Sequence, residues 1–313
     1  MDPFMNIGVE GYFKRYGYKY GILRALFTKF PFHYVGDYEN KKILYYKSVK
    51  KKINKLYKKY HNEDPADIEF GKAEVKDPVW VYWKQGEANM PDIVKMCIKS
   101  IRQYSGGNVI LLTDENIEDY IIFPEYIQNR LNSGTMCVAA FSDLLRFSLL
   151  EHFGGTWIDA TVFLTDTLPD YMKKSELFAF RDSFGLIDNP ALMSVWFLHC
   201  RKGNVVMKET RNVAFGYWKN NKHVIEYLIP YIILTTVLKY HPNIFKEIPY
   251  AVSEYCRLMF SNLGEKYDEK KYYHIKSLTP VHKLSYKFKK EVLSDADNYY
   301  NKIICYCLIS SKQ

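Results

Sequence analysis

The hydrophobic positions of this chain change period sharply within residues 141–161, F-S-D-L-L-R-F-S-L-L-E-H-F-G-G-T-W-I-D-A-T. Leu144, Leu145, Phe147, Leu149 and Leu150 lie on one apolar face at helical spacing, and Ser142 is placed to cap the amino end. Gly154-Gly155 is the stop expected after a last helical turn. A run of β-branched and aromatic residues, 156–163, then predicts a strand. Asp159 falls inside it, where a carboxylate is costly unless a cation or a hydrogen-bond donor meets it. Asp143 and Arg146, three residues apart, share one face of the preceding helix. The tight glycine turn folds helix back on strand, so Asp143, Arg146 and Asp159 are expected at one cleft, at the carboxyl end of a sheet.

The flanking pattern supports such a sheet. Val79-Trp80-Val81-Tyr82-Trp83 alternates as a short strand, and Lys84-Gln85-Gly86 turns the chain. Pro91 opens a helix with Ile93, Val94, Ile98 and Ile101 inward, closed by Gly106-Gly107. Residues 108–113, N-V-I-L-L-T, form the next strand. A β-α-β order implies parallel strands with a right-handed crossover, and ligands meet such sheets at the carboxyl ends of the strands. Residues 178–182 read as a further strand leading into S-F-G-L-I-D-N-P (183–190), a turn-rich segment suited to an acceptor cleft. Residues 204–218, 227–240 and 248–260 read as helices that complete the core. The expected class is α/β.

The amino-terminal part differs. Residues 41–60 contain nine lysines and no acid, with Tyr46, Val49, Ile53, Leu56 or Tyr57, and Tyr60 at helical spacing. Two readings stay open for this basic amphipathic helix. It contacts an anionic membrane surface, or it packs on the rest of the chain with its lysine face in water. Residues 62–78 reverse the charge and read as a connector, so 1–70 is taken as a basic, aromatic-rich helical extension and 71–313 as the main domain.

Composition narrows the chemistry. Of 313 residues, 48% are hydrophobic, enough for a sizeable core, which excludes a disordered chain. The net charge of +9 favours phosphate-bearing partners. Six cysteines stand without C-x-x-C spacing, so neither a zinc site nor a disulfide framework is expected, and free thiols fit a reducing cytosol. G-x-G-x-x-G and P-loop motifs are absent. The apolar run 227–238 is too short for a membrane span and carries Pro230. Nucleic-acid binding through residues 41–60 is not expected, since it would leave Asp143, Arg146 and Asp159 unexplained.

S-D-x-x-R followed by G-G, an aromatic, a hydrophobe and Asp resembles the DXD sugar-nucleotide glycosyltransferases, including the glycosyltransferase domain of the large glucosylating toxins. With W-K-Q-G-E early and G-G-T-W-I-D-A-T later, the chain is similar to the bacterial capsular polysaccharide synthesis glycosyltransferases over roughly residues 77–287. The resemblance implies a glycosyltransferase-A-like fold, a Rossmann-like mixed sheet flanked by helices. It implies transfer from a UDP-sugar to a saccharide or lipid-linked saccharide, with retention at the anomeric carbon, in the cytoplasm or on the inner face of the cell membrane. A catalytically inactive module of the same fold, binding nucleotide or glycan, is the alternative. Asp143, Arg146 and Asp159 are the implied catalytic residues. Trp83 is the base-stacking aromatic, and Lys283, Ser285 and Lys287, with Asp143 and Arg146, are the donor-binding residues. Mn²⁺ or Mg²⁺ is the implied cofactor, held by Asp159 and His282. One departure bears on that ion: the second aspartate of Asp-x-Asp is Thr161.

Overall fold

A computed structural model describes residues 8–29, 38–182, 189–288 and 290–309. Two helices, α1 (Gly8–Lys29) and α2 (Tyr38–Tyr60), precede a short strand β1 (Glu69–Phe70) and the strand β2 (Pro78–Tyr82). Helix α3 (Asp92–Tyr104) connects β2 to β3 (Asn108–Leu112), and β4 (Ile121–Ile122) and α4 (Glu125–Asn132) lead into α5 (Val138–Phe153). Next come β5 (Gly155–Ile158), β6 (Val162–Leu164), α6 (Asp170–Lys173), β7 (Leu177–Arg181) and β8 (Met193–Cys200). Helices α7 (Val205–Asn220), α8 (Ile229–Tyr240), α9 (Pro242–Glu247), α10 (Glu254–Asn262) and α11 (Glu269–Leu278) follow. Strand β9 (Val281–Lys283) and helices α12 (Lys290–Ser294) and α13 (Tyr299–Ile309) end the described chain.

The central sheet has the order β3-β2-β5-β8-β7. Strands β3, β2 and β5 run parallel, while β8 is antiparallel to both β5 and β7. This is the expected α/β class, a mixed sheet flanked by helices. Both faces are covered, so β2 is buried at every position and its residues alternate between two cores. Trp80 and Tyr82 join one core with residues of α2, α5, α7 and α8. Val79 and Val81 join the other with residues of α3, α10, α11 and α13.

Helix α2 resolves the choice left open by its sequence. Tyr46, Val49, Ile53, Tyr57 and Tyr60 are all buried, and the helix packs on α7 and α8. Full burial of one such side chain contributes about 1.5–3 kcal/mol. Like charges one turn apart oppose a helix by only about 0.2–0.5 kcal/mol per pair, so packing prevails over the lysine repulsion. Lys51, Lys55 and Lys58 stand in solvent on the outer face. The aromatics therefore cannot also enter a bilayer. Residues of α1 and α2 share the core of the main domain and do not stand apart from it.

Three local expectations change. The predicted strand 156–163 breaks at residues 159–161 into β5 and β6, which belong to different sheets. Helix α5 starts at Val138, ahead of Ser142, whose Oγ donates to the Ala139 carbonyl at 2.8 Å inside the first turns. The predicted helix 248–260 begins only at Glu254. The expected acceptor segment 183–190 lies, from 183 to 188, outside the described residues.

Candidate active site

The glycine pair sets the geometry. Gly155 has φ 93°, and a Cβ there would lie 2.2 Å from the Pro78 carbonyl oxygen, so only glycine lets β5 start against β2. Helix α5 is thereby folded back over the sheet, and β5 delivers Asp159 to its carboxyl edge. The chain then turns: the Asp159 amide donates to the Trp196 carbonyl, and the Val162 amide to the Asp159 carbonyl, both at 2.9 Å. Strand β6 leaves this turn and pairs antiparallel with β9, placing Lys283 opposite Val162. An amide bond from Leu284 to the Thr161 carbonyl at 2.9 Å fixes the register.

Arg146 is the hub. Its guanidinium is nearly fully buried and donates to the Val195 carbonyl at 2.6 Å and to the Ser142 Oγ at 3.2 Å. It lies 3.3 Å from both Asp143 Oδ1 and Asp159 Oδ1, and its carbon centre is 5.0 Å from the Trp157 ring centroid. Trp157 Nε1 donates to Asp159 Oδ1 at 3.0 Å, and Lys283 Nζ donates to Asp159 Oδ2 at 2.9 Å. Lys283 also donates to Thr161 Oγ1 at 2.6 Å. The structure thus brings together Asp143, Arg146 and Asp159 and adds Lys283 to them.

The two carboxylates part in their titration. Burial alone would raise Asp159, but Lys283 and Arg146, helped by the Trp157 and Lys283 hydrogen bonds, hold it below the ordinary carboxylate range. Burial pushes the Asp143 carboxyl up to about 7, with the Asp159 charge adding to the rise and Arg146 and Arg15 opposing it. The folded protein therefore keeps a proton that the unfolded chain releases near pH 4. Stability attributable to Asp143 is lost as pH rises from about 4 through about 7. Asp143→Asn should accordingly raise the melting temperature, relative to the parent, by more at pH 8 than at pH 5. Thermal unfolding of both proteins at the two pH values checks this, and an equal or reversed gap contradicts it.

These side chains line a cleft of about 590 Å³. Trp83, Lys84, Lys283, Ser285 and Lys287 contribute to its wall, with Trp83 edge-on to Tyr286 at 5.2 Å between ring centroids. Ser285 Oγ accepts from the Lys287 amide at 3.1 Å. The cleft also holds residues the motif reading missed: Arg15 from α1, and Trp218, Tyr227 and Tyr231 from the helical side. Arg15 is brought there by the kink of α1 at Gly17, φ 67°, and by the Val224 amide donating to the Arg15 carbonyl at 3.0 Å. Its guanidinium lies 5.5 Å from the Tyr227 ring centroid. From sequence, Arg15 was placed only within the basic, aromatic-rich extension 1–70.

The residues implied for a divalent ion do not come together. His282 precedes Lys283 on β9 and points to the opposite side, where it is 0% exposed with Nε2 3.1 Å from Thr165 Oγ1. It does not line the cleft. Burial drives its pKa down to about 3, and Lys276 adds to the drop, so the ring stays neutral inside the core. The expectation that His282 shares an ion with Asp159 is corrected by this strand alternation. Asp182 is paired with Arg257 at 3.2 Å and is likewise absent from the cleft wall. Among the described residues, no group of three or more His, Cys, Asp or Glu is placed to hold a metal.

A stretch of 96 residues is 33% identical to the O-glycosyltransferase braB of Annulohypoxylon truncatum. It amounts to 28% of this chain and spans only 23% of that protein. In shape, the chain is loosely similar to the PaToxG glycosyltransferase, with a TM-score of 0.41 and 11% identity over 83% of this chain and 94% of that one. The apo form of the glycosyltransferase GlyE of Streptococcus pneumoniae TIGR4 gives a TM-score of 0.37 and 13% identity, over 76% of this chain and 64% of that one. Residues 31–303, most of the chain, match the family of capsular polysaccharide synthesis proteins, and the chain belongs to that family.

Proposed function

We propose that this protein is a glycosyltransferase that moves a sugar from a nucleoside-diphosphate sugar, by preference a UDP-sugar, to a hydroxyl of a saccharide or lipid-linked saccharide in surface polysaccharide synthesis. The observation that carries the reading is the cleft at the carboxyl ends of β2 and β5. There Trp83 and Lys287 stand on the wall, for a base and a phosphate, while Arg146 meets Asp143 and Asp159 and Lys283 meets Asp159.

In the transfer, the bond from the anomeric carbon to the diphosphate oxygen breaks and its electron pair stays on that oxygen. The acceptor oxygen bonds to the same carbon, and its proton passes to the released diphosphate. Attack on the face of departure retains configuration, as the resemblance implies. Charge develops on the diphosphate, so fixed cations facing it lower the barrier. Trp218, Tyr227 and Tyr231 give the acceptor side flat, apolar surfaces with polar tips. No helix among the described residues is long and apolar enough to cross a membrane. Contact with an anionic membrane, in this proposal, rests on the outer lysines of α2 alone.

Thermal unfolding with a panel of UDP-, GDP- and CDP-sugars tests the reading. Binding only to the folded state stabilises it by about 2.7 kcal/mol at a hundredfold excess over Kd. One class, expected to be the uridine series, should raise the melting temperature in this way and be turned over with an acceptor. No shift with any nucleotide sugar would refute the proposal. A shift without hydrolysis or transfer would favour the inactive module.

A further inference from the structure

We infer that Lys283 is the built-in cation of the diphosphate site, taking the place that a divalent metal holds beside an Asp-x-Asp pair. This rests on the glycosyltransferase reading above. The ammonium lies between the two positions of the motif, 2.9 Å from Asp159 Oδ2 and 2.6 Å from Thr161 Oγ1. Its side chain is 17% exposed and lines the cleft, so the third donor is available to a ligand there. Its backbone position is set by the β6–β9 ladder, which the Leu284 amide bond to the Thr161 carbonyl extends.

Charge accounting favours the same conclusion. A pair of aspartates matches an ion of charge two. Here the second aspartate is a threonine, and one carboxylate faces one ammonium. The other oxygen of Asp159 is taken by Arg146 and the Trp157 indole. A metal ion at Asp159 would have to displace or repel Lys283, and among the described residues no group of three or more His, Cys, Asp or Glu is placed to hold one. With Thr161 at the second position, the single charge of Lys283 balances the single charge of Asp159. When the donor binds, Lys283 needs only to keep Asp159 as its anchor and turn its free donor to a phosphate oxygen. Lys287, on the same wall, supplies further positive charge.

Calorimetric titration of UDP into the purified full chain tests this, in EDTA and then in Mn²⁺ or Mg²⁺. The expected result is a Kd that changes less than twofold among the three conditions. Lys283→Ala should weaken UDP binding at least tenfold in EDTA, and Lys283→Arg should restore most of it. Lys283→Ala combined with Thr161→Asp should bind UDP well only when Mn²⁺ is present. A wild-type affinity that falls tenfold or more in EDTA and returns with Mn²⁺ would overturn the inference while leaving the transferase reading in place. Normal UDP binding by Lys283→Ala in EDTA would overturn it too. The wild-type arms decide even where a variant folds poorly. Absence of UDP, GDP and CDP binding under every condition would instead remove the transferase reading and this inference together.

Discussion

Asp159→Asn is expected to lower glycosyl transfer about a hundredfold or more while the protein still folds. The carboxylate accepts from Trp157, Arg146 and Lys283 at once, so it fixes the position of both cations at the cleft. Asparagine keeps the volume but must turn its amide NH₂ toward one of these donors. Either Lys283 loses its acceptor, or Trp157 and Arg146 lose theirs. One of the two cations then lacks its Asp159 acceptor where charge develops, and losing one such preorganised interaction costs about 2.7–4 kcal/mol of barrier. The Asp143 carboxyl remains at 3.3 Å from Arg146, and the guanidinium keeps the Val195 carbonyl and the Ser142 Oγ as acceptors, so the fold survives. Steady-state turnover of the purified variant, with its melting temperature as the control for folding, gives the answer. Near-normal turnover would refute the assignment of the site.

Arg146→Lys should damage both activity and stability, although the charge is retained. The guanidinium spreads its donors over Val195 on β8, Ser142 one turn back on α5, and the two aspartates. A single ammonium cannot reach β8 and both carboxylates together. The Val195 carbonyl, buried between β8 and α5, then loses its side-chain donor, and a buried unsatisfied polar group costs about 1–3 kcal/mol. Chemical denaturation should show a loss of about 2 kcal/mol, and turnover should fall at least tenfold. A variant as stable as the parent would mean that the hub is not structural, and unchanged turnover would mean that it is not part of the site.

The central motif was legible because its information is local. Helix periodicity, the glycine stop and the strand composition all lie within residues 141–161, and a tight turn leaves few ways to arrange them. That is why Asp143, Arg146 and Asp159 were expected together and are together. The strand at residues 79–82 was likewise a matter of period, whereas Trp83, which lines the cleft, was named from the family resemblance. The family followed from the same residues, and residues 31–303 match it.

What the sequence left open depends on which side of a pairing faces the site. Pro280 to Lys287 reads equally well with His282 or Lys283 turned to Asp159, because a strand presents alternate residues to opposite faces and a shift of one residue exchanges them. Only the β6–β9 register, with Lys283 opposite Val162, decides it. The break of the strand at 159–161 has the same origin, since it exists only because β9 recruits β6 into a second sheet. Arg15 stands far from the motif in sequence, and no local pattern brings it to the cleft. The kink at Gly17 and the packing of α1 against the segment after α7 do so. The fate of the lysine-rich helix was also tertiary: its periodicity defines an apolar face, but whether lipid or protein covers that face depends on the surfaces of α7 and α8. The sequence by itself determined the elements and the carboxylate–arginine core of the site, through short-range sterics and periodicity. Long-range strand register and helix packing decided which cation completes that core.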